Sequence, residues 1–197
     1  MTEFLFHSPV KLVFGQPVAR ALPDAVAELD AGRVLLVSDA GLAEIGLVDR
    51  VAGLLSSAGW SVAVFADVQS NPTVRDVKAG LAACGQAEVL VAIGGGSVID
   101  VAKGIGLLAT NGGSYADYQW RGQPIIRPIL PLIAVPTTAG TGSEATKVTV
   151  IADEETHFKK GVLSPHLFPR TAVVDPELTL SLPPKLTAAT GADVVVH

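Results

Sequence analysis

Val89-Leu90-Val91-Ala92-Ile93-Gly94-Gly95-Gly96-Ser97-Val98-Ile99-Asp100-Val101-Ala102-Lys103 is the stretch on which the reading of this chain turns. The first five residues are apolar and rich in β-branched side chains, which predicts a strand buried on both faces. Three glycines follow, where the backbone can turn sharply and a ligand can approach the main chain. Ser97 then stands as an N-cap, with Asp100 three residues on as the acid of a capping box. Free N–H groups and the positive end of the helix dipole make such a start a site for a phosphate. A second reading stays open, in which the glycines only permit tight strand-to-helix packing. The run is neither a Walker lysine loop nor a G-x-G-x-x-G fingerprint, so neither of those mechanisms transfers to it.

Working outward, the same alternation recurs. Helical spacing runs over Pro17 to Leu29, Leu42 to Ala58 and Thr73 to Ala83, and apolar strand-like runs lie at Val34 to Val37, Trp60 to Phe65 and Leu132 to Val135. Strands alternating with helices predict an α/β fold, a Rossmann-like parallel sheet with helices on both faces. Ahead of it, Phe4-Leu5-Phe6 and Lys11-Leu12-Val13-Phe14 predict a small antiparallel arm. From Thr146 to Val174 the pattern is extended, with strands around the turn acids Asp153-Glu154-Glu155, which are expected to be solvated. Ser181-Leu182-Pro183-Pro184 marks a domain junction, dividing the chain into residues 1–182 and 183–197. Lys185 to His197 then reads as a helix.

In open α/β sheets ligands bind outside the carboxyl ends of the strands. The residues there are Asp39, then Ser70-Asn71-Pro72-Thr73, then the glycine turn, then Pro136 to Glu144. Four polar or glycine-rich loops are therefore expected along one rim. Asp39 is open to two readings: a carboxylate that accepts hydrogen bonds from an adenine ribose and repels a 2′-phosphate, or a helix N-cap. Asn71 before Pro72 is first of all a turn residue. Thr137, Thr138, Thr141 and Ser143 set hydroxyls beside flexible glycines, suited to a pyrophosphate or a ribose.

Composition narrows the partners. Half the residues, 49%, are apolar, while 17% are charged, low against the roughly 25% usual for a soluble domain, so some surface is expected to be covered by a partner. A net charge of -5 without a basic cluster argues against nucleic acid or an anionic membrane. No segment reaches the ~20 apolar residues of a membrane span. The lone Cys84 cannot form an internal disulfide and is expected to be a buried thiol. A cytoplasmic protein is the default expectation.

Near the C-terminus Asp193 and His197 are four residues apart, on one helical face. That spacing lets a carboxylate and an imidazole reach one divalent ion of Zn or Fe type; a solvated pair looks the same.

Together these features resemble the iron-containing alcohol dehydrogenases, the group III dehydrogenases of dehydroquinate-synthase-like fold. The residues that carry the likeness are Gly94 to Asp100 with Ala102-Lys103, the loop Pro136-Thr137-Thr138-Ala139-Gly140-Thr141-Gly142-Ser143-Glu144-Ala145-Thr146, and Leu186 to Asp193 ending at His197. The resemblance implies NAD, with NADP disfavoured, held by Gly95, Gly96, Ser97 and Asp100 at the pyrophosphate. It places Asp39 and Asn71 at the adenosine, and Thr137, Thr138 and Thr146 toward the nicotinamide, with Thr141 and Ser143 kept as cofactor-binding candidates. Lys159 matches the family lysine near the cofactor, with Lys160 as its competitor. Asp193 and His197 match the first two ligands of an Fe2+ or Zn2+ ion that polarises the substrate oxygen.

The implied activity is hydride transfer between a small alcohol and an aldehyde. The two remaining family ligands are histidines farther along a helical domain, of which residues 183–197 would be the first helix. The expectation is therefore of the cofactor-binding portion of such an enzyme. On its own it would bind nucleotide and metal poorly and would not turn over, and Val194, Val195 and Val196 would promote a homo-oligomer. Rival readings are a non-catalytic nucleotide-binding or assembly module, and a zinc lyase or keto-acid reductase of the same fold.

Overall fold

The computed structural model describes residues 8–154 and 158–196. Six strands form one sheet: β1 (Lys11–Phe14), β2 (Arg33–Val37), β3 (Ser61–Phe65), β4 (Val89–Gly94), β5 (Leu132–Pro136) and, after the hairpin described below, β8 (Thr171–Val174). They lie in the order β1-β8-β5-β4-β2-β3, and every pairing is parallel. The central strand β4 is buried at every position. A strand with helices against both faces has no polar side to show, which is why its sequence does not alternate.

Alternate residues feed two apolar layers. Val34, Leu36, Val91, Ile93, Ile133 and Val135 point to one side, packing with Leu22 and Val26 of helix α1 (Val18–Ala27) and Val48, Val51 and Leu55 of α3 (Leu47–Ser57). Leu35, Val37, Leu90, Ala92, Leu132 and Ala134 point to the other, with Val77 of α4 (Val74–Cys84), Ile99 and Ile105 of α5 (Gly96–Asn111) and Tyr115 of α6 (Tyr115–Trp120). The expected doubly covered parallel sheet is what the chain forms.

Several expectations are corrected. Lys11–Phe14 makes no antiparallel arm: it pairs parallel with β8 at the edge of the main sheet, and Phe4–Phe6 lies outside the described residues. The helical run over 42–58 is broken, because Gly46 takes a left-handed φ of 72° and separates α2 (Ala40–Glu44) from α3. Between 148 and 163 the chain forms a separate antiparallel hairpin, β6 (Val148–Ala152) with β7 (Lys159–Leu163). Asp153 in its turn is not solvated: it is 9% exposed and accepts a 2.7 Å hydrogen bond from Trp120 Nε1. Glu154 accepts from Thr73 Oγ1 at 3.0 Å.

The expected C-terminal helix is present as α7 (Pro184–Val196), with no buried residue. Cys84 is buried, and burial raises its thiol pKa, as suits an inert structural cysteine.

Candidate functional site

Strands β2 and β4 are neighbours, yet the helices that follow them pack on opposite faces of the sheet, α3 on one and α5 on the other. Where adjacent chains part in this way a crevice opens at the carboxyl ends of the strands. A cleft of about 450 Å³ lies there, lined by Asp39, Gly95, Gly96, Ser97, Thr137, Thr138 and Thr141, with Leu182, Leu186 and Thr190 across its mouth. A second, of about 660 Å³, is lined by Gly96, Ser97, Asp100, Thr141, Ser143, Thr146, Lys159 and Asp193. Gly96, Ser97 and Thr141 border both, so the two make one groove from Asp39 to Asp193. Asn71 is exposed and lines neither half, although its neighbour Pro72 lines the second.

The turn itself differs from the expected capping box. Gly95, in extended conformation, is the N-cap of α5, and no side chain caps the helix. Ser97 already lies in the first turn and donates from Oγ to the Ser70 carbonyl at 2.9 Å. Asp100 accepts instead from Ser143 Oγ at 2.6 Å and from the Val150 amide at 2.9 Å. With the glycine as cap, the first-turn amides face the groove rather than a side-chain oxygen, which leaves the helix start open to an anion. The glycines also serve packing. A Cβ on Gly94 would fall 2.5 Å from Val98 Cγ2, and one on Gly96 2.8 Å from Thr141 Oγ1.

Asp39 takes the N-cap role, one of its two readings. It caps α2 by accepting from the Leu42 amide at 3.0 Å, and it lines the first cleft. Ser38 beside it ties the rim together: its Oγ donates to the Ile93 carbonyl at 2.8 Å, and the Ser38 carbonyl accepts from the Val68 amide at 3.3 Å.

The second half is built on Lys103, which is fully buried. Its Nζ donates to the carbonyls of Ser143, Thr146 and Val148 at 2.7, 2.9 and 2.7 Å, and lies 3.2 Å from Ser143 Oγ and 3.3 Å from Thr146 Oγ1. Burial pulls its pKa down to about 8, against the upward pull of Asp100 and Glu144. Burial pushes the Asp100 carboxyl up, opposed by the Ser143 hydrogen bond and the Lys103 charge. Tyr115, raised by burial, donates to the Thr149 carbonyl at 3.2 Å. Thr149 Oγ1 in turn donates to the Asp100 carbonyl at 2.8 Å.

Sequence reasoning gave Lys103 no function of its own. The available signal was a lysine three residues after Asp100 on an otherwise apolar helix, a pair that falls on one face.

The two candidate lysines separate. Lys159 lines the groove, whereas Lys160 Nζ sits 5.1 Å from the centroid of the Trp120 ring, a cation–π distance. Gln119 holds the same strand to β6 by donating to the carbonyls of Ile151 and Lys160 at 2.7 and 2.8 Å.

Asp193 borders the second cleft from α7. A Cβ on Gly140 would meet the Thr190 carbonyl at 2.7 Å and Asp193 Oδ2 at 3.3 Å, so that glycine permits the helix to lie against the loop. His197 lies outside the described residues, as do His7 and His157. Among the described residues no three His, Cys, Asp or Glu side chains gather as a metal site. The described donors do not by themselves fit a metal centre. No described helix is long and apolar enough to cross a membrane.

Fold and groove define a doubly wound α/β protein with an open helix start at its switch point. The sequence profile of the iron-containing alcohol dehydrogenases matches residues 9–176, and the chain belongs to that family. It is 42% identical to alcohol dehydrogenase 4 of Saccharomyces cerevisiae (strain YJM789), covering 98% of this chain and 50% of that protein. With the NAD-dependent methanol dehydrogenase of Bacillus methanolicus it shares 39% identity, covering 100% and 51%. The crystal structure of sulfoacetaldehyde reductase from Bifidobacterium kashiwanohense in complex with NAD+ superposes with a TM-score of 0.91 at 36% identity, over 99% of this chain and 52% of that one. The chain thus spans about half the length of the curated relatives it matches.

Proposed function

We propose that the groove binds NAD and that this chain supplies the cofactor-binding part of a dehydrogenase interconverting a small alcohol and an aldehyde. Residues 1–182 form the dinucleotide domain in this reading, and residues 183–197 open a helical, metal-binding one. The observation that carries it is the convergence of Asp39, the uncapped start of α5 and the Thr137–Thr141 loop on one cleft. Two relatives support the same reading: the sulfoacetaldehyde reductase was crystallised with NAD+, and the methanol enzyme is NAD-dependent.

NAD, when bound, supplies the ring carbon that accepts or returns the hydride. The first-turn amides of α5, at Gly96 and Ser97, meet the pyrophosphate, with the helix dipole adding to the attraction. Asp39 accepts from the adenine ribose hydroxyls, and its charge disfavours the 2′-phosphate of NADP. Thr137, Thr138 and Thr141 present hydroxyls to the middle of the cofactor, and Thr146 and Lys159 stand at the nicotinamide end. Asp100 and Ser143 shape the wall behind it, since their polar atoms are committed to each other and to Lys103 and Val150. Asn71, in the turn beside the groove, is kept as an adenosine-side candidate.

Asp193 and His197 are proposed as two donors to iron or zinc. The exposed Val194, Val195 and Val196, 53%, 86% and 84% accessible, favour a homo-oligomer, and the lone buried cysteine suits a reducing, cytoplasmic setting. Titration with NADH and NADPH, followed by ligand fluorescence, tests the reading: saturable NADH binding with weaker NADPH binding supports it. Because the isolated portion is expected to bind weakly, absence of binding to either even at millimolar ligand is the result that overturns it.

A further inference from the structure

We propose that Lys103 is a positioning residue, a tethered ammonium ion that locks the 143–148 segment into the wall of the groove. This rests on the cofactor reading for its consequence, though not for its geometry. The three short contacts run to carbonyls of residues 143, 146 and 148, and an ammonium has three hydrogens to give. The set is one donor per carbonyl, with the hydroxyls of Ser143 and Thr146 close by. Residues 143–145 form only one short 3-10 turn, so this stretch has little regular backbone bonding of its own. Its carbonyls are satisfied from the core by a charge carried on α5.

The same helix begins at the glycine turn. A single rigid element therefore carries both the open amides at one end of the groove and the post that fixes its opposite wall. Asp100, one turn back on α5, completes the lock by accepting from Ser143 Oγ and the Val150 amide. The charged and titratable groups that face Lys103 are Asp100 on its own helix and Glu144 on the segment it holds. Lys159 and Tyr115 face it through Asp100. A buried charge so enclosed is retained where its removal would strand the Thr146 and Val148 carbonyls and leave the Ser143 carbonyl only the 3.4 Å bond from the Thr146 amide.

The test replaces the cation without replacing the space. In Lys103→Met, amide exchange across 141–150 rises about 10-fold or more while strands β2 and β4 keep their protection, and the NADH dissociation constant rises about 10-fold, the loss expected of hydrogen bonds to a charged group. In Lys103→Ala, n-propylammonium fits the vacated length and restores slow exchange in that segment, whereas tetramethylammonium at equal ionic strength does not. Should Lys103→Ala be recovered only unfolded, its refolding yield with n-propylammonium against tetramethylammonium is the readout, and a selective gain supports the proposal.

Unchanged exchange in Lys103→Met, or equal effects of the two ammonium ions, overturns it. If wild-type protein shows the exchange behaviour but no NADH binding, the cofactor reading falls while the lock stands.

Discussion

The two halves of the groove are made by different means. The Asp39 side is made mostly of main chain: strand ends, a glycine N-cap and loop amides, with the buried side chains of Ser38 and Asp76 stitching it together. The Lys159 side is made of side chains, with Lys103, Asp100, Ser143, Thr149, Tyr115 and Gln119 reaching across 30 or more positions of sequence to hold a hairpin and a loop. A backbone-built wall is set by topology and tolerates change except where a Cβ has no room. A wall hung on a charged network depends on a few irreplaceable atoms.

The largest expected effect tests the first half. Gly96→Val places a branched side chain where even a Cβ would lie 2.8 Å from Thr141, and NADH binding is expected to fall by about 100-fold in a fluorescence titration, as a misplaced binding element does. Retained affinity would show that the helix start is not where the phosphates sit. Next, Asp76→Ala removes a buried carboxylate that accepts from the Gln69 amide at 3.1 Å and the Thr73 amide at 2.7 Å. A loss of about 1–3 kcal/mol in urea unfolding is expected, the cost of stranding buried donors, with the loop before α4 loosened.

On the other side, Trp120→Phe deletes the Nε1 donor to Asp153 while keeping a ring under Lys160. It is expected to cost about 1 kcal/mol by thermal unfolding and to weaken cofactor binding less than Gly96→Val does. Asp39→Ser keeps a capping oxygen and removes the charge, so helix stability should change by only about 0.5 kcal/mol. The NADH-over-NADPH preference should narrow in paired titrations; an unchanged ratio would leave Asp39 as a cap and nothing more.

A last effect, read as stability rather than binding, concerns pH. Lys103 titrates near 8 in the folded protein against an ordinary 10.5, so between those values the unfolded chain holds more protons and folding stability gains with rising pH. The burial penalty is present below pH 8 and is relieved as pH climbs toward 10.5. The stability of wild type relative to Lys103→Met should therefore increase over that window in urea melts, and a flat difference would remove the titration from Lys103.

The backbone-built half was legible in the sequence, and the reason is local. Val89–Ile93 and Leu132–Val135 are continuous apolar runs whose ends mark the rim, so Asp39, the glycine turn and Thr137 fall on one edge by chain order alone. What escaped was non-local or depended on a single backbone angle. Gly46 breaks a helix whose apolar spacing continues across it. The short helix α6 had no counterpart among the expected elements, although Ser114 and Asp117 form the capping box that Ser97 and Asp100 do not. Lys103 meets acceptors 40 and more positions away, and no periodicity encodes such a meeting. Asp153 looked like a surface turn acid because the tryptophan that binds it lies 33 residues earlier.

The parting of the chain after β2 and after β4, to opposite faces of the sheet, has a consequence for how such a fold can vary. An opening that arises from the path of the chain survives wholesale replacement of the residues around it. Relatives named for methanol and for sulfoacetaldehyde match this chain over nearly its full extent, so a common chassis underlies proteins with unlike namesakes. Mutation here can change the lining of the crevice, but only rerouting the connections would close it.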